Sequence, residues 1–279
     1  MWRVTTTDGV FAVKVMRSHV EAPDFSSRIE AARKIEMAAF RAGVPCPEPR
    51  LTKNGDALFQ VEEHWLRAHR WCDGFTPNAD DHLEDVGVLL AEIHSVGSRT
   101  VAALDDRPRS ASAWTALVAA PELPGTLREQ IREAAPELAA LEAATMSGPG
   151  VRTVFVESHG DLDPKNTLVS SGRLLAVDWD AAGPRPIAQE AVTVALDWAK
   201  DVDGFLRVLR TYAGSSPTIL SRTPWVFGGW VAALTGWLAF NLEQRPTTLL
   251  GLSEATTTCD RLLRLWHALD DYRAALDEL

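Results

Sequence analysis

The sequence predicts an α+β protein in two lobes: a small antiparallel-sheet lobe over residues 1–75, with its connection at about 69–74, and a larger, mainly helical lobe over residues 76–279. Three observations carry that reading. β-prone runs separated by turn dipeptides crowd the first 75 residues, apolar residues recur at helical spacing over most of the rest, and the charge divides at the same place. Residues 1–75 hold 11 Lys and Arg against 10 Asp and Glu, whereas residues 76–279 hold 17 against 28, so the formal net charge of −10 separates into +1 and −11.

The first element is a hairpin. Trp2–Thr6 and Val10–Val15 are β-prone runs joined around Asp8-Gly9, and Lys14 falls inside the second run. A helix follows from about Ser27, with Ser26 or Ser27 as N-cap. Ile29, Ala32, Ile35, Ala39 and Phe40 repeat along it, Gly43 ends it, and Pro45 and Pro47 bar its return. Leu51–Arg70 reads as two further strands around Asn54-Gly55, the second made of Ala57–Val61 and Trp65–Arg70. After Gly74, Leu83, Val86, Leu90 and Ile93 share one face of a helix opened by Asp80 or Asp81 and closed near Gly97, and residues 110–120 and 125–146 continue as helix. Thr153–Val156, Asn166–Val169 and Leu174–Val177 are short strands, the last two joined by Ser170-Ser171-Gly172, and the chain from about Pro186 is helical again.

Composition excludes several classes. At 46% hydrophobic and 24% charged residues the chain is too apolar for a disordered protein. Cys46, Cys72 and Cys259 are scattered, with no C-x-x-C pair, which argues against a disulfide scaffold or zinc site and for a reducing, cytoplasmic setting. Met1–Thr7 carries no basic segment followed by an apolar run, so no secretory signal is expected. The acidic balance argues against a nucleic-acid partner and favours a cationic small molecule. Thr223–Leu242 has no charged residue and is long enough for a bilayer, but its Pro224, glycines and Asn241, and the lack of a basic flank, favour a buried helix and no membrane partner. Nothing in the sequence fixes an oligomeric state.

The sharpest signal is Ser158-His159-Gly160-Asp161-Leu162-Asp163-Pro164-Lys165-Asn166, which fits the His-x-Asp-Leu-x-x-x-Asn pattern of phosphotransfer loops, followed twelve residues after Asn166 by Val177-Asp178-Trp179-Asp180. An acceptor hydroxyl needs a carboxylate to take its proton as it attacks phosphorus, and Asp161 at the start of a tight loop suits that task. Magnesium prefers hard oxygen ligands, and Asn166 and Asp178, brought side by side by two adjacent strands, supply an amide oxygen and a carboxylate. His159 is placed to brace the loop. Lys14 within Ala12-Val13-Lys14, ahead of an acid-bearing helix, is an arrangement that holds nucleotide phosphates.

Together with Ala42-Gly43-Val44-Pro45-Cys46-Pro47, His69-Arg70-Trp71-Cys72-Asp73-Gly74 and Leu90-Ala91-Glu92-Ile93-His94, these motifs resemble the aminoglycoside phosphotransferase family, small-molecule kinases with a protein-kinase-like fold, over nearly the whole chain. The resemblance implies ATP or GTP bound between the lobes, Lys14 on its phosphates, Asp161 as catalytic base, and Asn166 and Asp178 on Mg²⁺. It makes Arg70-Trp71-Cys72 the hinge that meets the base, and Glu36, with Glu30 next, the ion-pair partner of Lys14. Measured against that family the chain opens in the second strand, so a first strand and phosphate-covering loop are expected to be missing, and a catalytically silent binding module is the alternative reading. A metal-dependent hydrolase built on His159, Asp161 and Asp178 is a weaker one. Glu190, Asp197, Asp201 and Asp203 would face a cationic acceptor unless they pair with Arg207 and Arg210.

Overall fold

Strand β1 (Trp2–Thr6) turns back through Thr7-Asp8 into β2 (Gly9–Val15), with Trp2 opposite Val13 and Thr6 opposite Gly9. Gly9, at φ +133°, supplies the backbone conformation that this tight turn needs. In the computed structural model, which describes residues 1–17, 20–105, 107–119, 122–146, 151–218 and 220–279, this hairpin is the edge of an antiparallel sheet ordered β1-β2-β5-β3. Strand β3 is Pro49–Arg50, β4 Phe59–Val61 and β5 His64–Arg70, and β4 pairs with β5. The expected strand at Leu51 is absent, because Thr52–Asp56 is a closed turn in which the Thr52 hydroxyl accepts the Asn54 and Asp56 N–H groups. Residues 57–70 break into two strands at a turn that carries no glycine, with Glu62 at φ +53°.

Helix α1 (Phe25–Arg41) begins two residues before the sequence suggests. Ser26 and Ser27 are not its cap: Asp24 occupies that position, and the Ser27 hydroxyl instead donates to the Asp24 carbonyl at 2.8 Å. At its end Gly43 takes φ +90°, while Val44 N–H reaches Ala39 O and Gly43 N–H reaches Phe40 O, both at 3.1 Å. These two bonds satisfy carbonyls that a helix terminus would otherwise leave open. Its apolar face, with Phe25 and Ile29, packs with Met16, Ala57 and Leu58 into a core under the sheet.

The remaining elements are α2 (Leu83–Val96), β6 (Arg99–Ala103), α3 (Ala111–Leu117), α4 (Gly125–Thr145), β7 (Arg152–Ser158), β8 (Thr167–Ser170), β9 (Arg173–Ala176), β10 (Gly183–Pro186), α5 (Ile187–Trp198), α6 (Val202–Ser215), α7 (Gly228–Gln244) and α8 (Leu249–Leu276). Neither Asp80 nor Asp81 caps α2; His82, at φ +58°, does so by position, and the Asp81 carboxylate is spent on Asn78. Ser110 caps α3 by accepting Ala113 N–H, and residue 120, where that helix was expected to end, lies outside the described residues. Strands β6 and β10 were not foreseen. Strand β10 reads Gly-Pro-Arg-Pro, and two prolines disguise a strand that pairs antiparallel with β7, Arg185 opposite Val156.

The described residues fall into two compact units, residues 1–100, 155–187 and 194–219 in one and 101–154, 188–193 and 220–279 in the other. In the first, α2 packs on α6 beneath the β8–β9 hairpin, which turns through Ser171 (φ +50°) and Gly172 (φ +75°). In the second, α4, α7 and α8 pack on one another. Pro224–Gln244 is long and apolar enough to cross a bilayer, yet 56% of its most apolar window is buried within the protein, as in a core helix.

Two glycines separate backbone strain from crowding. A Cβ on Gly43 would meet nothing within 4 Å, so Gly43→Ala pays only for the left-handed backbone, about 1 kcal/mol. A Cβ on Gly97, which has an ordinary φ of −71°, would collide with the Glu157 carbonyl and the Val156 side chain. Gly97→Ala is therefore expected to cost about 1–3 kcal/mol in urea unfolding, more than Gly43→Ala; the reverse order would show that the 97–157 contact yields.

Candidate active site

In the β2–β5 pairing Lys14 lies directly opposite Arg67, and Ala12 opposite His69, so two cations share one face of the sheet. Like charges in that relation repel, and three carboxylates gather on them. Lys14 Nζ donates to both Asp178 oxygens at 2.6 and 2.7 Å and to Asp180 Oδ2 at 2.7 Å. The buried Arg67 guanidinium forks between Asp180 and Glu36, and Glu36, fully buried on α1, also holds His69 Nε2 at 2.8 Å. The expected Lys14–Glu36 pair is therefore not formed. Arg67 takes Glu36, because its planar fork can serve two carboxylates at once. Glu30 also leaves Lys14 alone, its oxygens going to Arg33 and to Ala57 N–H, each at 2.6 Å.

The electrostatics follow from this crowding. Burial by itself would lower the Lys14 pKa, but the Asp180 and Asp178 carboxylates outweigh it and hold the ammonium above its ordinary value. Burial would raise Asp180, but Arg67 and Lys14 outweigh that and hold it below the usual carboxylate range.

The loop after β7 is braced at every turn. Gly160 takes φ +79°. His159 Nε2 donates to Val177 O at 2.9 Å while its Nδ1 faces Asp161 N–H at 3.3 Å, and its ring lies 4.7 Å from that of buried Trp179. Trp198, also fully buried, donates its indole N–H to Leu162 O at 2.9 Å. Asp163 caps the single 3₁₀ turn at Pro164–Asn166, and Asn166 Nδ2 donates to Asp161 O at 2.9 Å and to Asp161 Oδ2 at 2.7 Å. Both amide hydrogens of Asn166 thus point to Asp161, leaving its Oδ1 as the atom for a cation. The Asp161 side chain keeps 46% of its surface open. Loss of hydration pushes its pKa up, and Lys165, 3.8 Å away, only partly offsets that.

Val177 N–H bonds Asn166 O at 2.9 Å, which sets Asn166 beside the strand end where Asp178 stands at φ +63°. An amide oxygen and a carboxylate make a hard-donor pair that suits Mg²⁺. Among the described residues no group of three or more His, Cys, Asp or Glu could by itself hold a metal ion, so phosphate and water oxygens would complete the shell.

A cavity of about 310 Å³ brings together Lys14, Glu36, Asp178 and the 70–72 segment, with Ala12, Leu168 and Val177 as apolar lining. In that segment the Arg70 and Trp71 N–H groups are already given to Glu48 O (2.8 Å) and Val10 O (2.9 Å), whereas Cys72 N–H has no backbone acceptor among the described residues. The Trp71 indole binds Asp73 and its ring meets Arg3. Burial raises the Cys72 thiol and pushes Cys46 up to about 12, so both stay protonated. Sequence reasoning missed Arg67, Lys165 and Trp198, and gave Asp180 no role. Only the strand register that places Arg67 across from Lys14 could have exposed the first, and the Lys165 spacing of four from Asp161 was the one available signal for the second.

Arg67→Met leaves the buried Glu36 carboxylate with His69 alone. A loss of about 3–5 kcal/mol is expected in denaturant unfolding, part of which returns in the Arg67→Met/Glu36→Leu double variant. Because its folded pKa is depressed, Asp180 contributes stability that is present above its unfolded pKa and is lost as pH falls through the folded one. Asp180→Asn should therefore flatten the acid limb of a stability–pH curve.

No curated protein matches the sequence significantly. Among solved structures the chain is similar to spectinomycin phosphotransferase APH(9)-Ia in complex with ADP and spectinomycin (11% identity, 94% of this chain and 87% of that one, TM-score 0.61). It is similar to an aminoglycoside phosphotransferase from Alicyclobacillus acidocaldarius (14%, 99% and 90%, 0.59), and to an amicoumacin kinase in complex with AMP-PNP, Ca²⁺ and its ligand (12%, 93% and 84%, 0.58). At these identities the likeness speaks for the fold, a protein-kinase-like α+β architecture. The phosphotransferase enzyme family, APH, matches residues 1–225, most of the chain, and the chain belongs to that family.

Proposed function

We propose that the protein transfers the γ-phosphoryl group of ATP or GTP to a hydroxyl of a small molecule, with Mg²⁺, residues 1–75 serving as the nucleotide lobe and 76–279 as the acceptor lobe. The observation that carries this reading is the convergence of Lys14 and Asp178 at 2.6 Å beside the Asp161–Asn166 loop. The base of the nucleotide would lie among Ala12, Leu168 and Val177 and accept from Cys72 N–H, the hinge donor that no backbone carbonyl claims among the described residues. Asn166 Oδ1 and the Asp178 carboxylate would hold Mg²⁺, which when bound neutralises charge building on the phosphates.

Lys14 is now spread over two carboxylates. Phosphate oxygens entering beside Asp178 offer its ammonium an alternative anion, and Asp180, fixed from behind by Arg67, keeps it from swinging away. Asp161 accepts the acceptor's proton. Its carboxylate is aimed by Asn166 and is only half hydrated, and the loss of hydration raises its basicity. Lys165, which lines the cavity and lies 3.8 Å from Asp161, is positioned to screen the incoming phosphoryl charge from that carboxylate.

Asp161→Asn is expected to lower kcat by about 10²–10⁴-fold while nucleotide affinity, read by calorimetry with MgATP and MgGTP, stays within about threefold. Since the fold raises this carboxyl's pKa, its charged form opposes folding at neutral pH, so the same variant should unfold at a higher temperature, and a lower Tm would count against the shift. The acid limb of the kcat–pH profile should lie above the ordinary Asp range and vanish in Asp161→Asn. Absence of any Mg²⁺-dependent nucleotide binding by the unaltered protein would overturn the reading as a whole.

A further inference from the structure

Lys14 and Asp180 also line a second, larger cavity of about 970 Å³. Its walls are the end of β2, one face of α1, Glu157, and residues 181–185 leading into β10. Five cations line it, Lys14, Arg17, Arg28, Lys34 and Arg185, against two carboxylates, Glu157 and Asp180.

Most of the inner charges are already spent. Asp180 is matched by Lys14 and Arg67, and Lys14 by Asp178 as well. Arg28 reaches Asp24 at 3.2 Å, an exposed pair that gives up little of either charge. Arg17 and Lys34 make no ion pair among the described residues, and Arg185 donates Nη2 to Ala181 O at 2.9 Å, which aims the guanidinium without neutralising it. Besides the Arg28–Asp24 pair, three cations without an ion pair among the described residues thus stand against Glu157 in a cavity of a chain whose net charge is −10. A concave wall of one sign focuses the field on whatever enters.

Arg185 also ties this cavity to the catalytic loop. A Cβ on Gly160 would come within 2.7 Å of the Arg185 guanidinium, so it is the missing side chain at 160 that admits this cation against the loop backbone. The rest of the lining includes Val15, Met16, Phe25, Ile29 and Ile35, which suits an apolar body.

We propose that this cavity is a second ligand site, separate from the nucleotide cavity, that takes a small molecule carrying a phosphate or carboxylate group on an apolar body, with Arg17, Lys34 and Arg185 on the anionic group. The proposal goes beyond the kinase reading and does not need it.

Calorimetry of the full chain with phenyl phosphate, and separately with phenethylamine, tests it. Phenyl phosphate is expected to bind saturably, more weakly as salt is added, and at least about tenfold more weakly to the Arg17→Glu/Lys34→Glu variant, whose two exposed positions leave the core untouched. Saturating Mg·AMP-PNP should change its affinity by less than about threefold. The proposal is overturned by no saturable binding, by unchanged affinity in the double variant, by full competition with AMP-PNP, or by tighter binding of phenethylamine. Phenyl phosphate binding without any AMP-PNP binding would remove the kinase reading and leave this site standing.

Discussion

Two cations facing each other across one pair of strands set the problem that the site solves. Lys14 and Arg67 are register partners on β2 and β5, and neither could be buried there without counter-charge. Glu36 arrives from α1 and Asp178 and Asp180 from the segment after β9, so three separate pieces of chain are drawn to one point by charge. Lys14, Arg67, Glu36, Asp178 and Asp180 together sum to −1. A divalent cation at Asp178 would reverse that sign, and nucleotide phosphates would then be attracted rather than repelled.

That arrangement changes which residue organises the lobe. In the simplest kinase-like scheme a helix carboxylate steadies the phosphate-binding lysine directly. Here the link runs through an arginine: Glu36 fixes Arg67, Arg67 fixes Asp180, and Asp180 fixes Lys14. The donors of an arginine are splayed in a plane, which lets Arg67 hold Glu36 on one arm and Asp180 on the other. In the proposed reaction the lysine would trade one of its two carboxylates for a phosphate while keeping the other.

The fold was legible in the sequence wherever a local rule was strong. The first hairpin, the Gly43 helix stop and the Ser171-Gly172 turn each rest on glycine or on short polar turn residues; the first turns at Thr7-Asp8, one residue before the expected Asp8-Gly9, and the other two form where expected, Ser171 and Gly172 as the central pair. Strand β10 and the turn at Glu62 were hidden because prolines and glutamates argue against the conformations they adopt, and pairing with β7 and β5 overrode that preference. The motif residues of the loop could be picked out because their spacing is fixed by one tight turn. The partner of Lys14 could not, since Glu36 and Asp180 lie 22 and 166 residues from it and only strand register and helix rotation decide between them.

Net charge alone does not tell which acidic residues are free to face a ligand. The −11 of residues 76–279 suggested acids facing a cationic acceptor, but several of those acids have local work. Asp201 caps α6 by accepting Gly204 N–H at 2.9 Å, and Arg207, thought to be a partner for its helix neighbours, pairs with Glu84 on α2 at 2.8 Å. Asp197 acts on Lys165, raising its pKa together with Asp163 and Asp161. A carboxylate that caps a helix or screens a lysine contributes to the sum without adding to the field at a distant cavity, because opposite charges a few ångströms apart cancel beyond a Debye length of about 8 Å. What a ligand feels is the residue of uncancelled charge on the wall it touches, which is why a chain this acidic can present a basic cavity along α1.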